Sequence, residues 1–215
     1  MSKGYLKIVY GPMFSGKTSE IMKDYKKYSF LKKKILVINW IDDTRYANNS
    51  IATHDNTMIE SLMCNNLDTI DYKSYDVIII DEAQFFKNLK KNVLYWCDKI
   101  KLTVIVAGLS SDFKSNKMGE IFDLLIFADE VMRLTALCCK CNDGTPGLLS
   151  AKINHQETKQ ESNRESNHDS NHDSNHNSNQ NICIQTTDQS ITNDIYDIGT
   201  SQYSVLCRAH YFNNI

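Results

Sequence analysis

The chain is 215 residues long, carries 24 Lys and Arg against 26 Asp and Glu for a net charge of −2, and is 41% hydrophobic. That length suits one medium domain or one domain with a small appendage. The near-neutral balance offers no bulk attraction to nucleic acid or an anionic membrane, and no apolar run approaches a transmembrane span.

In chain order, Met1-Ser2-Lys3-Gly4 runs straight into "GYLKIVY", which predicts a strand with Leu6, Ile8 and Tyr10 alternating against Tyr5, Lys7 and Val9. This start predicts no signal peptide and a cytoplasmic chain. Next comes Gly11-Pro12-Met13-Phe14-Ser15-Gly16-Lys17-Thr18, which fits G-x-x-x-x-G-K-[ST]. Such a loop turns backbone N–H groups inward to cradle a polyphosphate, with the lysine on the outer phosphates and the Thr hydroxyl on Mg²⁺. A glycine turn with an exposed lysine is the plain alternative. The context decides against it: "SGKTSEIMKDYKKYSFLKK" predicts a helix, with Ile21, Met22, Tyr25, Tyr28 and Leu31 or Lys32 near a 3.6 period. Strand, loop and helix together are the setting the motif needs, and the helix dipole adds to the phosphate site.

Three further apolar runs, "KKILVINW", "YDVIIIDEAQFF" and "LTVIVAGL", predict strands buried on both faces, as in a parallel sheet. "NLKKNVLYWCDKI" between the last two predicts a helix. The expected fold is α/β over residues 1–135, a P-loop (RecA-like) parallel sheet flanked by helices. Asp81 and Glu82 stand at the end of the second run. A carboxylate there helps hold Mg²⁺, and its neighbour can take a proton from an incoming hydroxyl. The loop "DDTRYANNS" follows the first run and would line the crevice at the strands' carboxyl ends. Arg45, taken alone, reads as a surface ion pair.

Residues 155–181 are a Ser/Asn/His-rich tract with a Ser-Asn-His-Asp near-repeat and no apolar residue, so the composition predicts disorder. The seven cysteines, in a reducing compartment, point to metal rather than disulfides. Cys138 and Cys141 form C-x-x-C; Cys207 and His210 form C-x-x-H. Two such knuckles suit a closed, tetrahedral, structural Zn²⁺. Cys139 and Cys183 are alternative ligands, whereas Cys64 and Cys97 fall in segments read as helical and are assigned to the core. A small zinc-ribbon domain over 136–215, interrupted by the tract, is therefore expected.

Taken together, these features resemble the type II thymidine kinase family, the cytosolic-cellular, bacterial and poxviral kind. "GPMFSGKT" resembles its P-loop, "DTRY" (Asp43 to Tyr46) and "THD" (Thr53 to Asp55) its next signatures, and "IDEAQFF" its I-D-E-[GA]-Q-F-F. "LTALC" leading to Cys141, and "YSVLCRAHYF", resemble its zinc knuckles. The resemblance implies transfer of the ATP γ-phosphate to the 5′-hydroxyl of thymidine, and of deoxyuridine as well. It implies Glu82 as catalytic base, Asp81 placing Mg²⁺, Lys17 and Thr18 on phosphates and metal, and Asp43 and Arg45 near the transferred group. Gln84 lies in the same signature.

Met13, Phe85, Leu109 and Phe113 match positions around the nucleoside, with Phe113 stacking on thymine. A long loop between the knuckles would hold the base, with "LLSAKI" placing Ser150 and "YDIGTSQY" placing Ile198, Gly199 and Tyr203. The tract falls between these limbs at the loop's tip, where insertion is tolerated and activity is expected to survive. The family also implies a homotetramer. Two differences stand out: Ser110-Ser111-Asp112 replace the family's D-G-T, and the second limb is one residue short after Gly199. Two rival readings are a P-loop ATPase acting on nucleic acid, which would require a basic stripe, and a non-catalytic descendant. The charge balance opposes the first, and the intact Lys17, Arg45 and Glu82 oppose the second.

Overall fold

The computed structural model describes residues 3–43, 50–52, 58–152 and 203–213. In chain order come β1 (Tyr5–Gly11), α1 (Lys17–Phe30), β2 (Ile35–Trp40), β3 (Ser50–Ala52), β4 (Met58–Glu60), β5 (Leu62–Cys64) and β6 (Val77–Ile80). They are followed by α2 (Leu89–Leu94), β7 (Thr103–Leu109) and β8 (Glu130–Arg133). Six strands form one sheet in the order β5-β2-β6-β7-β1-β8, and every pairing in it is parallel.

Both faces of this sheet are covered. Leu6, Ile8, Ile38, Ile78, Ile80, Val104 and Val106 meet Phe86, Leu89, Val93 and Trp96 on one side. Val9, Val37, Ile79 and Ile105 meet Ile21 and Met22 of α1 on the other. Alternate residues of each strand thus serve opposite cores, which is why the strands read as unbroken apolar runs.

Three local expectations are corrected. "NLKKNVLYWCDKI" is α-helical only over Leu89–Leu94 and continues as a wider π-type segment, Tyr95–Ile100, in which Trp96 and Cys97 are both buried. Cys64 lies in strand β5, not in a helix, where it pairs with Trp40 at the sheet edge; a three-residue strand is too short to show a period. Leu31 is exposed, because α1 ends at Phe30 and Lys32, at φ 54, turns the chain away.

Lys7 sits in the middle of β1 and is buried, with its Nζ 2.8 Å from Asp24, 3.2 Å from Glu20 and 3.4 Å from Glu130. Burial alone would lower the Lys7 ammonium's pKa, but Asp24, Glu20 and Glu130 overcome this and raise it. The Lys23 ammonium, against the opposing effect of burial and with help from Lys7, holds the Glu20 carboxyl below its usual range. A raised Lys contributes at every pH below its ordinary value, whereas a depressed carboxylate contributes only above its own. Acidification through the carboxylate range is therefore what dismantles the cluster. Replacing Lys7 with Met leaves carboxylates facing a desolvated gap and is expected to cost about 3 kcal/mol, read from chemical unfolding at neutral pH. A stability unchanged from the parent would mean that solvent already screens the cluster.

The remaining described elements form a smaller group: β9 (Ala136–Leu137) paired with β10 (Pro146–Gly147), β11 (Leu149–Lys152) paired with β12 (Tyr203–Leu206), and α3 (Arg208–Phe212). Its core is small, with Cys138, Leu206, Cys207 and Tyr211 at the centre and Cys141, Leu149 and Ala151 against them. Among the described residues no helix is long and apolar enough to cross a membrane.

Candidate active site

The phosphate loop leaves β1 at Gly11, where an added Cβ would lie 2.6 Å from Ser15 Oγ and 2.7 Å from the Leu134 carbonyl oxygen. Only glycine permits that approach. Phe14 at φ 58 and Gly16 at φ 80 reverse the chain, and α1 begins at Lys17. The Ser15 hydroxyl donates to the Pro12 carbonyl at 2.9 Å, and buried Lys17 Nζ donates to the same oxygen at 2.8 Å. The result is a turn of backbone amides closed onto a helix N-terminus, with an ammonium beside it, which is the arrangement that receives phosphates.

At the end of β6, Asp81 Oδ2 accepts from the Thr18 hydroxyl at 3.1 Å, and Asp81 Oδ1 accepts from the Glu82 N–H at 2.9 Å. Residues 63 apart in sequence thus bring a hydroxyl and a carboxylate together beside the phosphate loop. These are hard oxygen donors of the kind Mg²⁺ takes when it also binds substrate phosphates. Glu82 is buried in a left-handed backbone conformation, φ 48 and ψ 38. For a non-glycine residue this is a strained position of the sort found at functional sites. Its Oε2 accepts from Gln84 Nε2 at 2.5 Å, and Gln84 Oε1 accepts from the Leu109 N–H at 2.9 Å. Gln84 therefore ties the carboxylate to the end of β7.

Gly108 makes room for that tie. A Cβ there would lie 2.5 Å from Gln84 Oε1 and 2.2 Å from Ile121 Cδ1. Substituting Gly108 with Ala is expected to displace Gln84, lower kcat at least tenfold and cost about 1–3 kcal/mol of stability by overpacking. Steady-state kinetics with a thermal melt check both effects. Unchanged kcat would show that Gln84 does not orient Glu82. Asn39, buried beside the site, donates to Asp43 Oδ2 at 3.0 Å and so fixes the residue that precedes the "TRY" segment.

Aromatic residues form two contact groups. Trp40 lies 5.7 Å from Phe85 and 5.2 Å from Phe86, ring to ring. Beyond β7, Asp112 accepts from the Lys114 N–H at 2.9 Å and the Asn116 N–H at 2.7 Å, making a tight loop that carries Phe113. Phe113 stands 6.3 Å from Tyr203 of β12. The Met13 N–H donates to Ser150 Oγ at 3.1 Å, joining β11 to the phosphate loop. The structure thus brings together Lys17, Thr18, Asp81, Glu82 and Gln84, and pairs Met13 with Ser150 and Phe113 with Tyr203. Arg45, Ile198, Gly199, the "THD" signature, Cys183 and the 155–181 tract lie outside the described residues.

Cys138, Cys141, Cys207 and His210 form one cluster, their donor atoms all within 4.8 Å of one another. Cys141 and Cys207 sulfurs are 3.7 Å apart, and His210 Nδ1 is 3.5, 3.3 and 3.4 Å from Cys138, Cys141 and Cys207. Bonds of roughly 2.3 Å to sulfur and 2.0 Å to nitrogen at tetrahedral angles give edges of about 3.8 and 3.5 Å. The four donors fit a Zn²⁺ ion. Burial opposes ionisation of the Cys138 thiol, but the Cys207 and Lys140 N–H groups and His210 lower its pKa to about 6. Burial and its neighbouring sulfurs push Cys141 up to about 11. Cys139, the expected alternative, is exposed and outside the cluster.

The thymidine kinase family profile matches residues 4–211. The chain belongs to the thymidine kinase family. It is 38% identical over 148 residues to the thymidine kinase of fowlpox virus, covering 66% of this chain and 80% of that protein. It is 35% identical over 144 residues to thymidine kinase 1 of Dictyostelium discoideum, covering 64% of this chain and 63% of that one. It is 34% identical over 145 residues to human cytosolic thymidine kinase, covering 65% and 60%. The chain therefore aligns with less than two thirds of the length of the last two relatives.

Within this thymidine kinase family member, the P-loop and "IDEAQFF" signatures meet through the Thr18–Asp81 bond, and the two knuckles meet in the Cys3His cluster. Sequence reasoning missed Gly108 and Asn39. Neither has a local signal, since what defines them is a contact with Gln84 or Asp43 made only in the folded chain.

Proposed function

We propose that this chain is an ATP-dependent thymidine kinase that transfers the γ-phosphate of ATP to the 5′-hydroxyl of thymidine, yielding dTMP and ADP, and that it also accepts deoxyuridine. The observation that carries this reading is the Thr18–Asp81 bond with Glu82 next in the chain. It sets a proton acceptor beside a phosphate loop in a member of this family.

The phosphate loop amides and Lys17 bind and orient the triphosphate, leaving the γ-phosphoryl group facing the end of β6. Mg²⁺, held by Thr18 and Asp81, would neutralise phosphate charge when bound. Glu82 takes the proton of the 5′-hydroxyl as that oxygen forms its bond to Pγ in line, and the bond from Pγ to the β–γ bridging oxygen breaks. Gln84 keeps Glu82 aimed. Asp43 and Arg45 are assigned to the transferred group on the strength of the "DTRY" signature. Met13, Phe85, Leu109, Phe113, Ser150, Ile198, Gly199 and Tyr203 are assigned to the nucleoside; for Met13, Ser150, Phe113 and Tyr203 the support is their pairing.

Residues 1–135 are taken as the ATP-binding unit and 136–215 as a zinc unit bearing the substrate loop. The working form is taken to be a cytoplasmic homotetramer, by the family resemblance. The test is a product assay with Mg-ATP and the four deoxynucleosides plus deoxyuridine, with ADP and nucleotide product both quantified. Thymidine is expected to be the preferred substrate. ATP binding with no nucleoside converted would overturn the reading.

A further inference from the structure

The hydroxyl of Tyr211 touches neither the phosphate loop nor the carboxylates, yet it reaches across units. Tyr211 lies in α3 directly after the candidate metal ligand His210 and four residues after Cys207, and is 3% exposed. Its ring belongs to the small core with Cys138, Leu206 and Cys207, and its N–H donates to the Cys207 carbonyl at 2.9 Å. Its OH donates to the Phe113 carbonyl at 2.8 Å, 98 residues away in sequence. Phe113 itself comes from the loop after β7, on the other side of the molecule's division.

From this contact we infer that Tyr211 is a positioning residue of the nucleoside site, transmitting the geometry of the metal cluster to Phe113. The loop is held from within by Asp112, whose carboxylate accepts the Lys114 and Asn116 N–H groups. Those bonds fix its shape but do not fix where it lies relative to β11 and β12. The Tyr211 bond does. It is short, its donor is locked in a packed core, and its acceptor is the backbone of the residue whose ring faces Tyr203 at 6.3 Å, with Lys152 Nζ 5.9 Å from the ring centre. A ring held at its own carbonyl by a rigid partner loses little freedom when a base stacks on it, so the ordering cost of binding falls.

This inference rests on Phe113 belonging to the nucleoside pocket, and the test separates the two. Thymidine and ATP affinities are measured by calorimetry on the full-length, zinc-loaded parent, Tyr211→Phe, Phe113→Leu and the double variant. Zinc content and thermal melting serve as folding controls. Tyr211→Phe removes one hydroxyl and is expected to weaken thymidine binding about five- to tenfold with ATP binding unchanged. In the Phe113→Leu background the same change is expected to add less than twofold, because the ring it positions is gone.

If Phe113→Leu leaves thymidine affinity intact, the pocket reading fails. If Phe113→Leu weakens thymidine while Tyr211→Phe does not, the pocket reading stands and the inference is overturned. Equal loss for both ligands, or full multiplication of the two effects, would also overturn it by making Tyr211 a general structural residue.

Discussion

Replacing Glu82 with Gln is expected to lower kcat by roughly 10²–10⁴-fold while ATP affinity and melting temperature stay close to those of the parent. The substitution keeps shape and hydrogen bonding. Gln84 Nε2 donates to Glu82 Oε2, and an amide oxygen in the same place still accepts that bond, more weakly than a carboxylate. The left-handed backbone at φ 48 is also kept. What disappears is the negative charge and the capacity to take a proton from the incoming hydroxyl. The Thr18–Asp81 pair, which precedes Glu82 in the chain and faces the phosphate loop, is untouched. A variant that binds ATP normally but turns over at close to the parent rate would remove Glu82 from its assigned role. Single-turnover measurements beside the steady state would show whether the loss lies in the chemical step.

Replacing Cys207 with Ala is expected to abolish metal binding, with zinc per chain falling from about one to near zero and thymidine turnover falling more than a hundredfold. ATP binding should persist. The asymmetry follows from how each unit is stabilised. The six-stranded sheet is covered on both faces by large apolar clusters. The smaller unit has only Cys138, Leu206, Cys207 and Tyr211 at its centre. A core of that size seldom supports a fold without a staple, and structural zinc in finger peptides is worth on the order of 10 kcal/mol. Two of the four central residues, Cys138 and Cys207, belong to the proposed ligand set, so losing the ion would remove both the staple and part of the core. With it would go the placement of β11, β12 and α3, and hence of Ser150, Tyr203 and Tyr211. Elemental analysis and calorimetry with each ligand give the readouts. Zinc retained at about one per chain after Cys207→Ala would argue for a different ligand set.

Features that depend on neighbours in sequence were legible in advance. The phosphate loop, the carboxylates after β6, the apolar strands and the two knuckles each have a fixed spacing that encodes their geometry. The strands β5 and β8 were not foreseen, because edge strands of three or four residues carry too few positions to show a pattern. The burial of Lys7 was also illegible. The alternation sets Lys7 on the face of β1 opposite Leu6 and Ile8, but nothing local signals that three carboxylates from α1 and β8 neutralise it inside. The same holds for the Gln84–Leu109, Asn39–Asp43 and Tyr211–Phe113 bonds. Each joins residues whose side chains look unremarkable until the fold brings them together. Ser150 was assigned to the base, and the structure adds that its hydroxyl accepts from the phosphate loop at Met13.

The most direct test is transfer of label from γ-labelled ATP to thymidine by the purified full-length chain. Radioactive dTMP forming one-for-one with ADP, and dependent on Glu82, is the expected result. ADP released without labelled dTMP, or ATP bound without either product, would contradict a thymidine 5′-kinase built on Lys17, Thr18, Asp81 and Glu82.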